Sequence, residues 1–179
     1  MTLRALSALL TLVLAASNGA CGEPPQRGEP PPSVAPITTT LAAVRGWGPL
    51  TLGMSIDAVR AALARRDLSV TDERSAPASE SLTLTFEVDG DVGSAWFTRG
   101  ALEGVALRRT YARDADARSR VAALESAWGP GERWVLEGRN AGHLATHREW
   151  RTDAVVVTVV VRVPGTGLAT EYSEDYRAP

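Results

Sequence analysis

Hydrophobic and polar positions change period several times along this chain, and each change marks an element. Around WGPLTLGMSIDAVRAALARR, apolar residues recur at Ile56, Val59 and Leu63 with Ala62 beside them, while Arg60 and Arg65 fall on the other side. That spacing predicts an amphipathic helix, with Ser55 as N-cap and Asp57 in the first turn, where helix-end amides favour negative charge. Ala58 stands where a capping box would place Glu or Gln, so the box is incomplete. The period then drops to two. SLTLTFEVDG puts Leu82, Leu84, Phe86 and Val88 on one face, and GSAWFT and ALEGVALRRTY follow after turn signals at Asp89–Asp91 and Arg99–Gly100. These three segments read as an antiparallel meander.

A second helical period runs from about Ala115 to Trp128, through Ala117, Val121 and Leu124, with Gly129-Pro130 as its stop and Asp114 or Asp116 as its cap. Strand patterns return near 133–136, 144–151, 154–163 and 168–172. In AVVVTVVV both parities are apolar except at Thr158, which predicts the most buried strand, either central and covered on both sides or on a sheet face that meets another partner. Helix, strands, helix, strands is a duplicated order. Helices laid on an antiparallel sheet give a two-layer α+β domain.

The segments outside this body have a different composition. Met1–Arg4 is a short positive start, and the apolar run from Leu6 to Ala16 has the length of an export signal, too short for a bilayer span of about 20 residues. The ending SNGAC brings the single cysteine, Cys21, behind the small residues Gly19 and Ala20, with Asn18 before them. This ending resembles the lipobox of bacterial lipoproteins, which implies acylation of Cys21 and cleavage before it. The alternatives are a conventional signal peptide cut near Ala20 and a retained apolar segment. Between Gly22 and Pro36, GEPPQRGEPPPSVAP holds six of the 11 prolines and no aromatic residue. It cannot form a core, and it suits a semi-rigid polyproline II spacer or, alternatively, a ligand for a Pro-binding groove. The expected division is residues 1–20 signal, 21–43 lipidated cysteine and tether, 44–176 a single domain, and 177–179 tail.

The stretch PLTLGMSIDAVRAAL resembles the GMT-x-x-x-V signature of the small outer-membrane lipoproteins that include BamE/SmpA, and the related fold of β-lactamase inhibitor proteins. Gly53, Met54 and Val59 fall on matching positions, with Ser55 in place of Thr. The similarity spans about 15 residues. It implies helices packed on an antiparallel sheet and an envelope location, with the lipid anchor in the outer membrane and the body facing the periplasm.

Charge and chemistry narrow the function classes. The chain of 179 residues carries a net charge of −2, and all 19 of its basic residues are Arg. Near-balance argues against a nucleic-acid groove or a polybasic membrane surface, and the lack of Lys removes Schiff-base and Walker-lysine chemistry. One cysteine rules out an internal disulfide and multi-cysteine zinc sites. No GxSxG, HExxH, Walker A or GxGxxG pattern occurs, so no catalytic set and no cofactor is predicted. PGTG at 164–167 reads as a hairpin turn. His143 and His147 share a strand face but lie about 13 Å apart there, so they would chelate one ion only if a folded-back loop brought them together with Glu137 or Glu149.

The aromatic residues are the better lead. Trp128 reads as core, while Trp47, Trp96, Trp134 and Trp150 lie in or beside strands, and Arg108 and Arg109 point to opposite faces. Trp and Arg dominate binding hot spots. The expectation is therefore a non-catalytic envelope lipoprotein that binds another envelope protein through Trp47, Trp96, Trp134, Trp150 and Arg109, attached to the membrane only through its lipid and binding no nucleic acid. The alternatives are a carrier of an apolar or lipid-like ligand, requiring a deep apolar cavity, and a hydrolase of unrecognised type.

Overall fold

A computed structural model describes residues 37–137, 144–163 and 169–179. The leader, Cys21, the Pro-rich tether, His143 and the PGTG turn lie outside the described residues.

The first helix, α1 (Ile56–Ala64), starts where the sequence places it: Ser55 is extended, and its hydroxyl accepts the Ala58 N–H at 3.3 Å. Val59, Ala62 and Leu63 are its buried residues. Replacing Ser55 by Ala leaves that amide without its cap and should cost about 1 kcal/mol in denaturant unfolding, with an unchanged denaturant slope.

Ahead of α1, two short strands, β1 (Gly46–Trp47) and β2 (Leu50–Thr51), form a small hairpin. After it come β3 (Val70–Ala76), β4 (Ser81–Val88), β5 (Asp91–Thr98) and β6 (Ala101–Tyr111). The second helix, α2 (Asp114–Trp128), is followed by β7 (Glu132–Glu137), β8 (Leu144–Arg151), β9 (Val156–Val163) and β10 (Thr170–Arg177). All eight long strands form one sheet in the order β3-β4-β5-β6-β10-β9-β8-β7, and every neighbouring pair is antiparallel. Each half is a helix followed by a four-strand meander, and the halves meet through their last strands. The predicted duplication of a helix-plus-strands unit is therefore present in the topology. The Asp89-Gly90 and Arg99-Gly100 pairs turn the hairpins of the first meander with positive φ at both residues. This is the two-residue geometry that matches strand twist.

β3 has no counterpart in the predicted strands. All seven of its residues are exposed, so no apolar alternation marks it. Backbone pairing with β4 holds it, together with an Arg60–Glu73 ion pair of 2.5 Å from α1. β10 also runs further than the sequence pattern suggested, to Arg177. The α2 cap differs too: Arg113 is the N-cap and its side chain does not cap the helix amides, while Asp114 accepts from Arg118 and Asp116 accepts from Arg113. The two carboxylates are drawn to neighbouring guanidinium groups rather than to the free amides, yet both still lie in the first turn.

Both helices lie on one face. Alternation carries that face across the sheet through Leu84, Ala95, Val105, Tyr176, Val157 and Trp150, which are successive register partners. Leu50, Val59, Leu63, Phe86 and Phe97 form the core under α1. Ala117, Leu124, Trp150, Val159, Val161 and Tyr172 form the core under α2. The described body begins before the expected boundary at Val44, because Ile37 and Leu41 pack against the α2 core and the Trp128 Nε1–H donates to the Thr39 carbonyl at 2.8 Å. Trp47 and Leu52 touch both the α1 core and the Val44–Val155–Tyr176 cluster, closing the seam between halves.

The core also contains a polar centre. Glu174, on β10, is 1% exposed and accepts hydrogen bonds from the Tyr172 hydroxyl at 2.6 Å and from the Tyr176 hydroxyl. Arg120 of α2 closes over it at 3.2–3.4 Å. Burial works against the Arg120 charge, but the facing Glu174 holds its pKa above the ordinary value.

Candidate functional site

Among the described residues, no element packs on the second face of the sheet. A strand shows alternate residues to each side, so the register partners of the core residues define one face and their neighbours the other. Arg151, Val156, Arg177, Gly104, Trp96, Thr83 and Arg74 form one row across this open face. Glu132, Glu149, Thr158, Asp175, Ala106, Ser94, Thr85 and Asp72 form the next. A third row holds Trp134, His147, Val160, Ser173, Arg108, Val92 and Glu87. A bulge between Trp96 and Phe97 shifts the β5–β6 register, which turns Leu102 into the core while Gly104 and Ala106 stay on the open face.

The two half-exposed tryptophans stand towards opposite ends. Trp96 lies flat over Gly104: a Cβ there would sit 2.0 Å from Trp96 Cζ2, so only glycine leaves room for the ring. Trp134 stacks on His147, with ring centroids 5.4 Å apart and planes at 16°. Five inter-strand steps separate their strands, about 24 Å. Burial, aided by the Arg162 charge, lowers the His147 pKa, favouring the neutral ring that stacks on Trp134.

Between them the face is mostly neutralised in place. Glu149 accepts from Arg151 at 2.7 Å and from the Thr158 hydroxyl at 3.3 Å, with Arg177 at 3.6 Å. The Arg151 hydrogen bond is the main reason its carboxyl titrates below the ordinary range. Burial has the opposite effect on Asp175 and raises its pKa, although the Ser173 hydroxyl donates to it at 3.4 Å. Arg162 pairs with Glu171 at 2.7 Å, and Arg74 with Asp72 at 2.8 Å. A shallow groove of about 620 Å³ runs beside these pairs, lined by Val92, Arg108, Thr110, Val160 and Ser173.

The five residues singled out in the sequence divide between the faces. Trp96 and Trp134 stand on the open face. Trp47 is on the helix side, tilted against Phe86 at 5.6 Å. Trp150 is buried there, edge-on to Trp128, and donates from Nε1 to the Gly129 carbonyl at 2.8 Å. Arg109 also turns to the helix side, where it binds Asp91 and the Asp89 carbonyl and lies 5.6 Å from the Tyr111 ring centroid. Burial raises the Asp91 pKa against the pull of Arg109. Sequence reading missed Arg108, Val92, Thr158 and Ser173 as members of one surface. Strand parity was the available signal for Arg108 and Val92; for Ser173 it was hidden by the short limits assigned to the last strand.

Among the described residues no three His, Cys, Asp or Glu side chains are grouped to hold a metal ion, and no helix is long and apolar enough to cross a membrane. Comparison of the chain with protein-family models, with curated proteins and with solved structures finds no match.

Proposed function

We propose that this protein is a non-catalytic, exported docking module that holds another protein of the cell envelope on the open face of its sheet. The observation that carries the reading is the pair of half-exposed tryptophans, Trp96 and Trp134, on a face that the described residues leave uncovered. Eight strands at about 4.8 Å spacing make a surface about 38 Å wide, and strands of this length extend about 27 Å. That footprint exceeds the roughly 800 Å² per partner of a standard specific interface. Hydroxyls at Thr83, Thr85, Ser94 and Thr158 supply polar contacts without the desolvation cost of unpaired charges. The export and anchoring part of the proposal rests on the leader and on Cys21.

Photo-crosslinking in the native cells tests this reading, using a benzophenone amino acid at Ser94 or Thr158 on the open face and at Arg65 or Ala122 on the helices. Discrete adducts are expected from the sheet positions. They should be lost in a Trp96→Ala/Trp134→Ala variant that keeps its unfolding midpoint, since each hot-spot tryptophan is worth about 2 kcal/mol. Adducts arising only from the helix positions, or sheet adducts indifferent to both substitutions, would refute it.

A further inference from the structure

The open face has one arginine that stands outside its ion pairs. Of the five arginines there, Arg74, Arg151, Arg162 and Arg177 make ion pairs with Asp72, Glu149, Glu171 and Glu149 respectively. Arg108 makes no ion pair or side-chain hydrogen bond among the described residues, and it is exposed. It stands in the groove near the centre of the sheet, with its register partners Val92 on one side and Ser173 on the other. Val92 is 46% exposed, one of only three large apolar residues described as exposed. Val160, Thr110 and the Arg162–Glu171 pair also line it. Of the face acids without an ion pair, Glu87 and Glu132 belong to β4 and β7, towards the margins of the sheet, while Asp175 is on the central strand β10, near enough for the Arg108 charge to act on it.

The groove around Arg108 is thus part-apolar, with an unpaired guanidinium near one unpaired carboxylate, and the margins of the sheet are acidic. A guanidinium flanked by Val92 and Val160, with the Ser173 and Thr110 hydroxyls beside it, suits a planar carboxylate that it can hold through two N–H donors while the valines limit access of water. From this we infer that the protein docked on the sheet presents a single Asp or Glu to Arg108, flanked by apolar residues that cover Val92 and Val160. Asp175 lies one row from Arg108, on β10, and Glu171 lies on the same strand, so a partner with clustered acids would be repelled. A lone carboxylate fits. This inference rests on the docking reading above and specifies the chemistry of its partner.

The test uses the full chain and the protein recovered in the sheet-face crosslinks, purified and titrated against wild type and Arg108→Ala, Arg108→Lys and Arg108→Glu variants. Because Arg108 is exposed, these variants should unfold at the wild-type midpoint. Arg108→Ala should weaken binding about tenfold or more, Arg108→Lys should recover part of it, and Arg108→Glu should be weakest. Changing one partner carboxylate to Arg should restore binding to Arg108→Glu alone. If Trp96→Ala abolishes binding while all three Arg108 variants bind like wild type, the docking reading stands and the carboxylate contact is wrong. A second copy of this chain, or its own leader, as the crosslinked species would also overturn the inference. Failure to recover any sheet-face adduct defeats both readings together.

Discussion

Glu174→Ala should cost about 3–5 kcal/mol of folding free energy, measured as a lowered midpoint in urea or guanidinium unfolding. The substitution removes the acceptor shared by Tyr172, Tyr176 and Arg120 and leaves a part-buried guanidinium facing two buried hydroxyls with no counter-charge. Breaking a buried pair from one side is expensive because the remaining charge keeps its desolvation cost and loses its compensation. A Glu174→Gln variant, which keeps the shape and one acceptor oxygen, should fall between. The same centre sets an alkaline limit. Burial first, and then the adjacent Glu174, raises both tyrosine pKa values well above the ordinary 10. A raised folded-state pKa stabilises fully below the unfolded value, and the contribution is lost as pH rises beyond it. Stability should therefore decline above about pH 10, and Tyr172→Phe and Tyr176→Phe should flatten that decline while each costs about 1 kcal/mol at neutral pH. An alkaline limb unchanged in both variants would disprove the assignment.

The second large effect belongs to the other half. Phe86 is fully buried in the core under α1, and a Cβ placed on Gly93 would stand 2.2 Å from Phe86 Cε2. Phe86→Ala should cost about 3–5 kcal/mol, the transfer loss plus an unfilled cavity. Gly93→Ala should cost about 1–3 kcal/mol by forcing the ring off its seat. The double variant should be less damaging than the sum, because deleting the ring makes the room that the new methyl needs. Strict additivity in unfolding measurements would show that ring and glycine are not packed as described.

Where a residue meets the core, its element could be read from the chain. Val59 and Leu63 mark α1, Leu82 to Val88 mark β4, and Val157, Val159 and Val161 of β9 are buried on the helix side. The cover expected on the other side of β9 is absent beyond Val156, because Thr158 and Val160 stand half-buried on the open face. β3 was illegible because an edge strand exposed along its whole length leaves no alternation to find. The candidate face was legible only in part. Trp96 and Trp134 could be named as aromatic residues beside strands, but Trp150 and Trp47 have the same local setting and point the other way. What separates them is register across several strands, which depends on pairings between residues far apart in the chain. The lone status of Arg108 needs still more, since it follows from where every other arginine on the face finds its acid.

The mirrored strand order has a consequence for how the chain reaches this structure. Within each half the meander pairs neighbours in sequence, so hairpins can close quickly and independently. The β6–β10 pairing, by contrast, joins residues such as Gly104 and Arg177, about 70 positions apart. Contacts of that separation form late, after the loop entropy of everything between them has been paid. Until then each half exposes its final strand as an unprotected edge, and the two edges are complementary along the whole of β10, from Thr170 to Arg177. At high concentration during refolding, β6 of one molecule can meet β10 of another, so the seam that unites the halves is also the place where a domain-swapped dimer would begin.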